Sequence, residues 1–247
     1  MSFTLQYYCE SGDIDMVNDR LEEGEDPDEF DENGLNALHY ACNKGHYEIV
    51  DVLLDANADT MLPDKKTNRL AIHWSCINGN VEIVKLLLER GSNPYNENLV
   101  ELKDPDGMTP IMVAACSGST DVLIYLKDEK NAKINSKSKN GKTPLHYAAE
   151  KGQEGTTLAL LARGCNSHLV DDNGDQALVL ASRNRFLELA LQMCEKGCYA
   201  PCSHVDKALN RTSRVIKDKT KKFERKKPKE DKRAKRRAAR DRGKNKE

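Results

Sequence analysis

Two textures alternate along this chain. A short apolar segment rich in small residues ends at a glycine. A longer stripe of Leu, Ile and Val at helical spacing follows it, and the couplet then repeats. The sharpest copy is Gly141 to Gly152. Gly141 tolerates a positive φ, Thr143 is placed to accept an amide hydrogen bond as N-cap, and Pro144 at the first helical position loses only an N–H without a helical partner. Leu145, Ala148 and Ala149 make an apolar face whose alanines allow close helix approach, and Gly152 supplies a left-handed stop. Helix-ending glycines at 12, 45, 79, 118 and 152 are 33, 34, 39 and 34 residues apart. The second stripe is Ile49–Leu54, Ile83–Leu88 and Leu189–Cys194 in the units that show it best, with Asn57, Gly91, Asn131, Gly164 and Gly197 where the chain must turn. A fixed period of this length predicts a stack of helix pairs.

The residues carry a family resemblance. Asn33–Cys42 and Asn140–Ala149 are similar to ankyrin repeats, in period and in the threonine-proline-leucine-histidine core. The resemblance implies an all-α solenoid of paired antiparallel helices with β-turn fingers. It covers about residues 4–198, within a domain of residues 1–198, in six units, about 4–30, 31–63, 64–98, 104–137, 138–170 and 171–198. Unit one lacks the turn and the threonine-proline start, as a terminal cap would. Unit three begins its first helix with Leu70-Ala71-Ile72-His73, a poorer cap. Unit four has Met112 at the histidine position, and unit six has Arg185 where glycine is expected. The second helix of unit five, with Gly155, Thr156 and Thr157, is expected to be the softest. His39, His73 and His146 are expected to bridge finger backbone groups.

Charge divides the chain. Residues 203–247 hold 20 Lys and Arg against 7 Asp and Glu, whereas the preceding 202 residues hold 19 against 33, so a net of −1 conceals an acidic body and a basic tail. Residues 199–227 read as a linker and an amphipathic basic helix striped by Val205, Leu209, Ile216 and Phe223. Residues 228–247 are too poor in apolar residues to fold, so that a disordered or coiled-coil C-terminus is expected. The tail cluster Lys226, Lys227, Lys229, Lys232, Arg233, Lys235, Arg236 and Arg237 suits nuclear targeting, phosphate contact or simple solubilisation. Phe223 is its lone aromatic, which does not support base-stacking recognition. The eight cysteines are scattered, and residues 1–10 show no secretion signal. Reduced thiols, a nuclear or cytoplasmic location, no membrane span and a monomer are therefore expected.

The resemblance implies a partner gripped on the concave face by finger tips and first helices. In register, two rows line that face: Tyr7, Tyr40, Trp74, Val113, Tyr147 and Leu180, then Glu10, Asn43, Ile77, Cys116, Glu150 and Arg183. Trp74 beside Ile77 is the strongest contact candidate, because tryptophan concentrates binding energy. The tyrosines read equally as packing residues. The longer spacing between Gly79 and Gly118 puts an insertion near Tyr95 and Leu99, either a recognition finger or a tolerated loop. Glu22–Glu32 holds eight acidic residues. Glu25, Asp28, Glu29 and Glu32 would form a dock for a basic partner or for the tail, or a merely solvated loop.

Chemistry finds little support. Glu29, Asp31, Asn33 and Gly34 imitate the start of a calcium loop, but Tyr40 stands where its terminal Glu is required. Cys194, Cys198, Cys202 and His204 lack the two-residue ligand spacing of zinc sites. No catalytic constellation and no cofactor are expected. The function expected is non-catalytic scaffolding of a protein partner. The alternative is a nucleic-acid or ribonucleoprotein-associated factor that contacts phosphates through its tail.

Overall fold

The computed structural model describes residues 4–91 and 98–198. Twelve α-helices form six consecutive pairs: α1 Leu5–Ser11 with α2 Ile14–Glu22, α3 Ala37–Lys44 with α4 Tyr47–Asp55, α5 Ala71–Asn78 with α6 Val81–Arg90, α7 Pro110–Ser117 with α8 Thr120–Asp128, α9 Pro144–Lys151 with α10 Glu154–Ala162, and α11 Ala177–Arg183 with α12 Leu187–Glu195. A 3-10 turn, Leu99–Glu101, precedes α7. Among the described residues no helix is longer than 10 residues, below the ~12–15 needed for stability in isolation. Stacking supplies the rest. α1, α3, α5, α7, α9 and α11 pack in one layer, and the second helices from α2 to α10 pack in another. Two apolar clusters fill the space between the layers, one running from Leu5 to Leu99 and one from Cys76 to Cys198, and Leu88 packs against both. Among the described residues no helix is long and apolar enough to cross a membrane.

The helix-ending glycines 12, 45, 79, 118 and 152 all have positive φ. At Gly152 space matters as well: a Cβ would stand 2.6 Å from the Phe186 ring of the next unit. Gly91 departs from expectation. Its φ is −56°, so no left-handed turn requires glycine there. A Cβ would instead collide with the Leu87 carbonyl and meet Thr60 at 3.0 Å. Arg185 does take the left-handed conformation, at φ 66°.

His146 joins cap to finger. His146 Nδ1 accepts the Thr143 N–H at 3.1 Å and lies 2.8 Å from Thr143 Oγ1, while Nε2 lies 3.1 Å from the Asp175 carbonyl of the next finger. With Nδ1 accepting, Nε2 carries the proton and donates. The histidine ring thus closes the cap onto the backbone N–H of Thr143. His39 and His73 accept the N–H groups of Asn36 and Leu70 in the same way. Met112 cannot, and buried Thr109 Oγ1 is left without a partner.

Fingers also bond to fingers. Lys65 N–H donates to Gly34 O at 2.9 Å, Lys139 N–H to Asp106 O at 2.9 Å, and Asp172 N–H to Asn140 O at 3.2 Å. Gly141 lets Asp172 approach, since a Cβ on it would stand 2.8 Å from the Asp172 backbone nitrogen. Gly141→Ala is expected to lower stability by about 1–3 kcal/mol, the range for strain at a special backbone position. A urea denaturation midpoint equal to that of the parent chain would refute this.

Candidate interaction face

Each finger starts from a polar side chain that organises its own loop. Asp31 accepts the Leu35 N–H, Asp104 the Asp106 and Met108 N–H groups, and Asp171 the Asn173 and Asp175 N–H groups. Asp64 is the most heavily used: it accepts from the Lys66, Thr67 and Arg69 backbone and from the Thr67 hydroxyl. These bonds hold its carboxyl below the ordinary range in spite of burial. Ser138 fills the same place in unit five.

The first row of expected contact residues is tied to these acids. The Tyr40 hydroxyl donates to Asp31 Oδ2 at 2.8 Å and accepts from Asn33 Nδ2 at 3.2 Å, and the Tyr147 hydroxyl donates to Ser138 Oγ at 3.0 Å. Both tyrosines are buried, as are Val113 and Leu180, so this row mostly serves the finger–helix junction. Trp74 makes the equivalent bond, Nε1 to Asp64 Oδ2 at 3.3 Å, yet stays partly exposed. Tyr7 is 47% exposed.

In the second row Asn43, Ile77, Cys116 and Glu150 are half-buried and Arg183 is exposed. Lys142 Nζ pairs with Glu150 at 2.8 Å, and Arg183 forks onto Asp175 at 2.6 and 2.9 Å. The backbone carbonyls of this row are linked to the following units: Asn78 Nδ2 donates to Asn43 O, Gln153 Nε2 to Cys116 O and Asn184 Nδ2 to Glu150 O. Burial pushes the Cys116 thiol up, which suppresses its thiolate. The centre of the face is therefore Trp74 with Ile77, flanked by Asn43 and Cys116.

Three expectations need correction or division. Leu99 is no finger contact: it is 7% exposed and packs in the core, and Val100 beside it is 6% exposed, because the 3-10 turn directs apolar side chains inward. Tyr95 lies outside the described residues. The acidic stretch splits: Glu25 Oε2 accepts the Leu5 N–H at 3.0 Å, capping the first helix, and half-buried Asp28 accepts the Asp59 N–H at 2.9 Å. Glu29 and Glu32 are exposed, with Glu22, Glu23 and Asp26. The Asp31 carboxylate is already engaged by Leu35, Asn33 and Tyr40. Cys194 and Cys198 are buried at 7% and 4%, while Cys202 and His204, the tail helix and the basic cluster Lys226–Arg237 lie outside the described residues.

Finger three, Asp64 to Leu70, is one residue longer than Asp31 to Asn36, Asp104 to Thr109 or Ser138 to Thr143. Asn68, at φ 55°, accommodates the extra residue. The step of 34 between Gly45 and Gly79, against 33 before it, carries that residue in the sequence.

The model of ankyrin repeats matches in three overlapping copies, over residues 5–98, 96–171 and 131–204. The chain belongs to the ankyrin-repeat family. It is 30% identical over 167 residues to the E3 ubiquitin-protein ligase KEG of Arabidopsis thaliana, covering 67% of this chain and 8% of that protein. It is 27% identical to mouse Synphilin-1 over 62% of this chain and 16% of that one, and 44% identical over 59 residues to human M-phase phosphoprotein 8, covering 24% of this chain and 7% of that one. The chain thus spans under a fifth of each of these relatives. Among solved structures, the ankyrin repeat domain of Bcl-3, a member of the IkappaB protein family, aligns with a TM-score of 0.65 at 25% identity, over 87% of this chain and 97% of that one.

Proposed function

We propose that this chain is a non-catalytic adaptor that holds a protein partner against the first helices and fingers of its central units, with Trp74 and Ile77 as the anchor. Ankyrin repeats are generally protein–protein interaction modules, and that coarse reading follows from the family. The observation that supports the finer one is the exception in the first row. Tyr40 and Tyr147 are buried while Trp74, held by Asp64, keeps part of its indole exposed beside Ile77. A rigid, half-exposed tryptophan loses little entropy on contact and offers a large apolar area. The basic tail acts in this reading as a nuclear address or as a contact for acidic partners.

The test is affinity capture with the full chain, followed by mass spectrometry. Trp74→Ala is expected to weaken capture of the main partner at least tenfold, and Ile77→Asp to do the same, with helical circular dichroism retained. Deleting residues 203–247 is expected to leave capture intact and to abolish nuclear accumulation. If both point variants capture as the parent does, while RNA retention disappears with the tail, the nucleic-acid reading replaces this one.

A further inference from the structure

Fingers three and four are the place where the finger ladder is interrupted. Backbone bonds join finger two to three, four to five and five to six, but among the described residues none joins three to four. Arg69 Nε reaches across to Asp104 Oδ2 at 3.0 Å, below the tips. Above that pair a polar slot of about 560 Å³ opens, lined by Lys65, Lys66, Thr67, Asn68, Arg69 and Asp106. The extra residue of finger three forms one wall.

The charges around the slot are unequal by depth. The acids at the bases of fingers three and four are internal, Asp64 1% and Asp104 4% exposed, the first bonded by loop N–H groups and the second by Arg69 and loop N–H groups, and of the acids only Asp106 lines the slot. The ammonium groups are external and rest on neutral atoms. Lys65 Nζ lies 4.3 Å from the Phe30 ring, Lys66 Nζ donates to Asn33 Oδ1, Lys103 Nζ to Lys137 O, and Lys137 Nζ to Val170 O. Lys139 is exposed beside Asp106, to whose carbonyl its N–H is bonded. Ser138 removes from finger five the carboxylate that the other finger bases carry. The exposed tips of fingers three to five therefore set Lys65, Lys66, Lys103, Lys137 and Lys139 against Asp106.

We propose that this slot seats an acidic, Asp- or Glu-rich stretch of the protein partner, its carboxylates meeting Lys65, Lys66 and the outer nitrogens of Arg69. This rests on the adaptor reading and specifies which end of a partner meets the fingers. Trp74 reports on the slot, because its indole N–H shares Asp64 with the N–H groups of the slot's own loop. It is the chain's single tryptophan.

The experiment titrates the full chain with a tryptophan-free peptide of ten glutamates at low ionic strength and follows Trp74 emission. The expected result is a saturable change whose midpoint rises at least tenfold in the double variant Lys65→Glu, Lys66→Glu, and rises with salt. The tail variant Lys221→Glu, Lys222→Glu is expected to keep the parent midpoint. An unchanged midpoint in the finger variant, an absent emission change, or a thymidine oligonucleotide that matches the peptide in midpoint and in sensitivity to the finger variant overturns the proposal. Capture dependent on Ile77 that survives the finger variant would confine such a failure to the slot and leave the adaptor reading standing.

Discussion

Acidification from pH 7 to pH 4 is expected to remove about 3 kcal/mol of stability through His39 alone. Burial, the dominant cause, pushes its imidazole down to about 4 from the ordinary 6.5, against an opposing pull from Asp64. One pKa unit is worth about 1.4 kcal/mol. The sign follows from proton counting. Between 6.5 and 4 the unfolded chain binds a proton that the folded chain refuses, so stability is full above 6.5, declines through that interval and stops declining below 4. His73 and His146 are shifted down by burial as well and add in the same direction. Asp31 and Asp64, both lowered, lose their stabilisation only below their unfolded value of 3.8, outside this window. Urea midpoints measured at intervals between pH 7.5 and 4.5 check it. His39→Gln should flatten the slope by roughly the share of one histidine, and a parent midpoint constant across the interval would eliminate the mechanism.

Leu123→Ala should cost about 2–5 kcal/mol, the range for a cavity at a fully buried leucine. Leu123 is 0% exposed on α8, in the second core cluster, and α8 packs against both α6 and α10. In a solenoid each unit is supported chiefly by its neighbours. Against a total of about 5–15 kcal/mol, weakening unit four also threatens the coupling of the halves on either side. The variant is therefore expected to denature in two steps. Trp74 fluorescence, reporting unit three, and far-ultraviolet circular dichroism, reporting all units, should coincide in the parent chain and separate in the variant. Coincident curves in the variant would mean that the array couples over longer distances than adjacent units.

Much of the architecture was legible in the residues because a repeat states its instructions several times. Glycines 12, 45, 79, 118 and 152 marked helix ends that the structure places at positive φ, and the stripes Ile49–Leu54 and Ile83–Leu88 fall on α4 and α6. Cys42 and Cys76, which take the place of Ala149 in their own units, are both fully buried. The face was less legible, because one position in the repeat carries different burdens in different units. Tyr40 and Trp74 occupy the same register and make the same kind of bond to a finger acid, yet one is buried and the other is not. Leu99 looked like part of an exposed insertion, since a spacing count shows that residues were added and not which way they turn.

The sequence by itself determined the helix pairs, their order, the left-handed stops and the polarity split between acidic body and basic tail. These depend on local backbone preference and on a hydrophobic period, both carried by neighbouring residues. Only the tertiary structure decided which acids are engaged by a distant backbone N–H, as Glu25 and Asp28 are, and which cations stay outside. It also decided that fingers three and four are joined through Arg69 and Asp104 where the other described finger neighbours from two to six share a backbone bond. Such distinctions arise between residues some 20 to 35 positions apart, where the partner of a side chain is fixed by how one unit seats on the next.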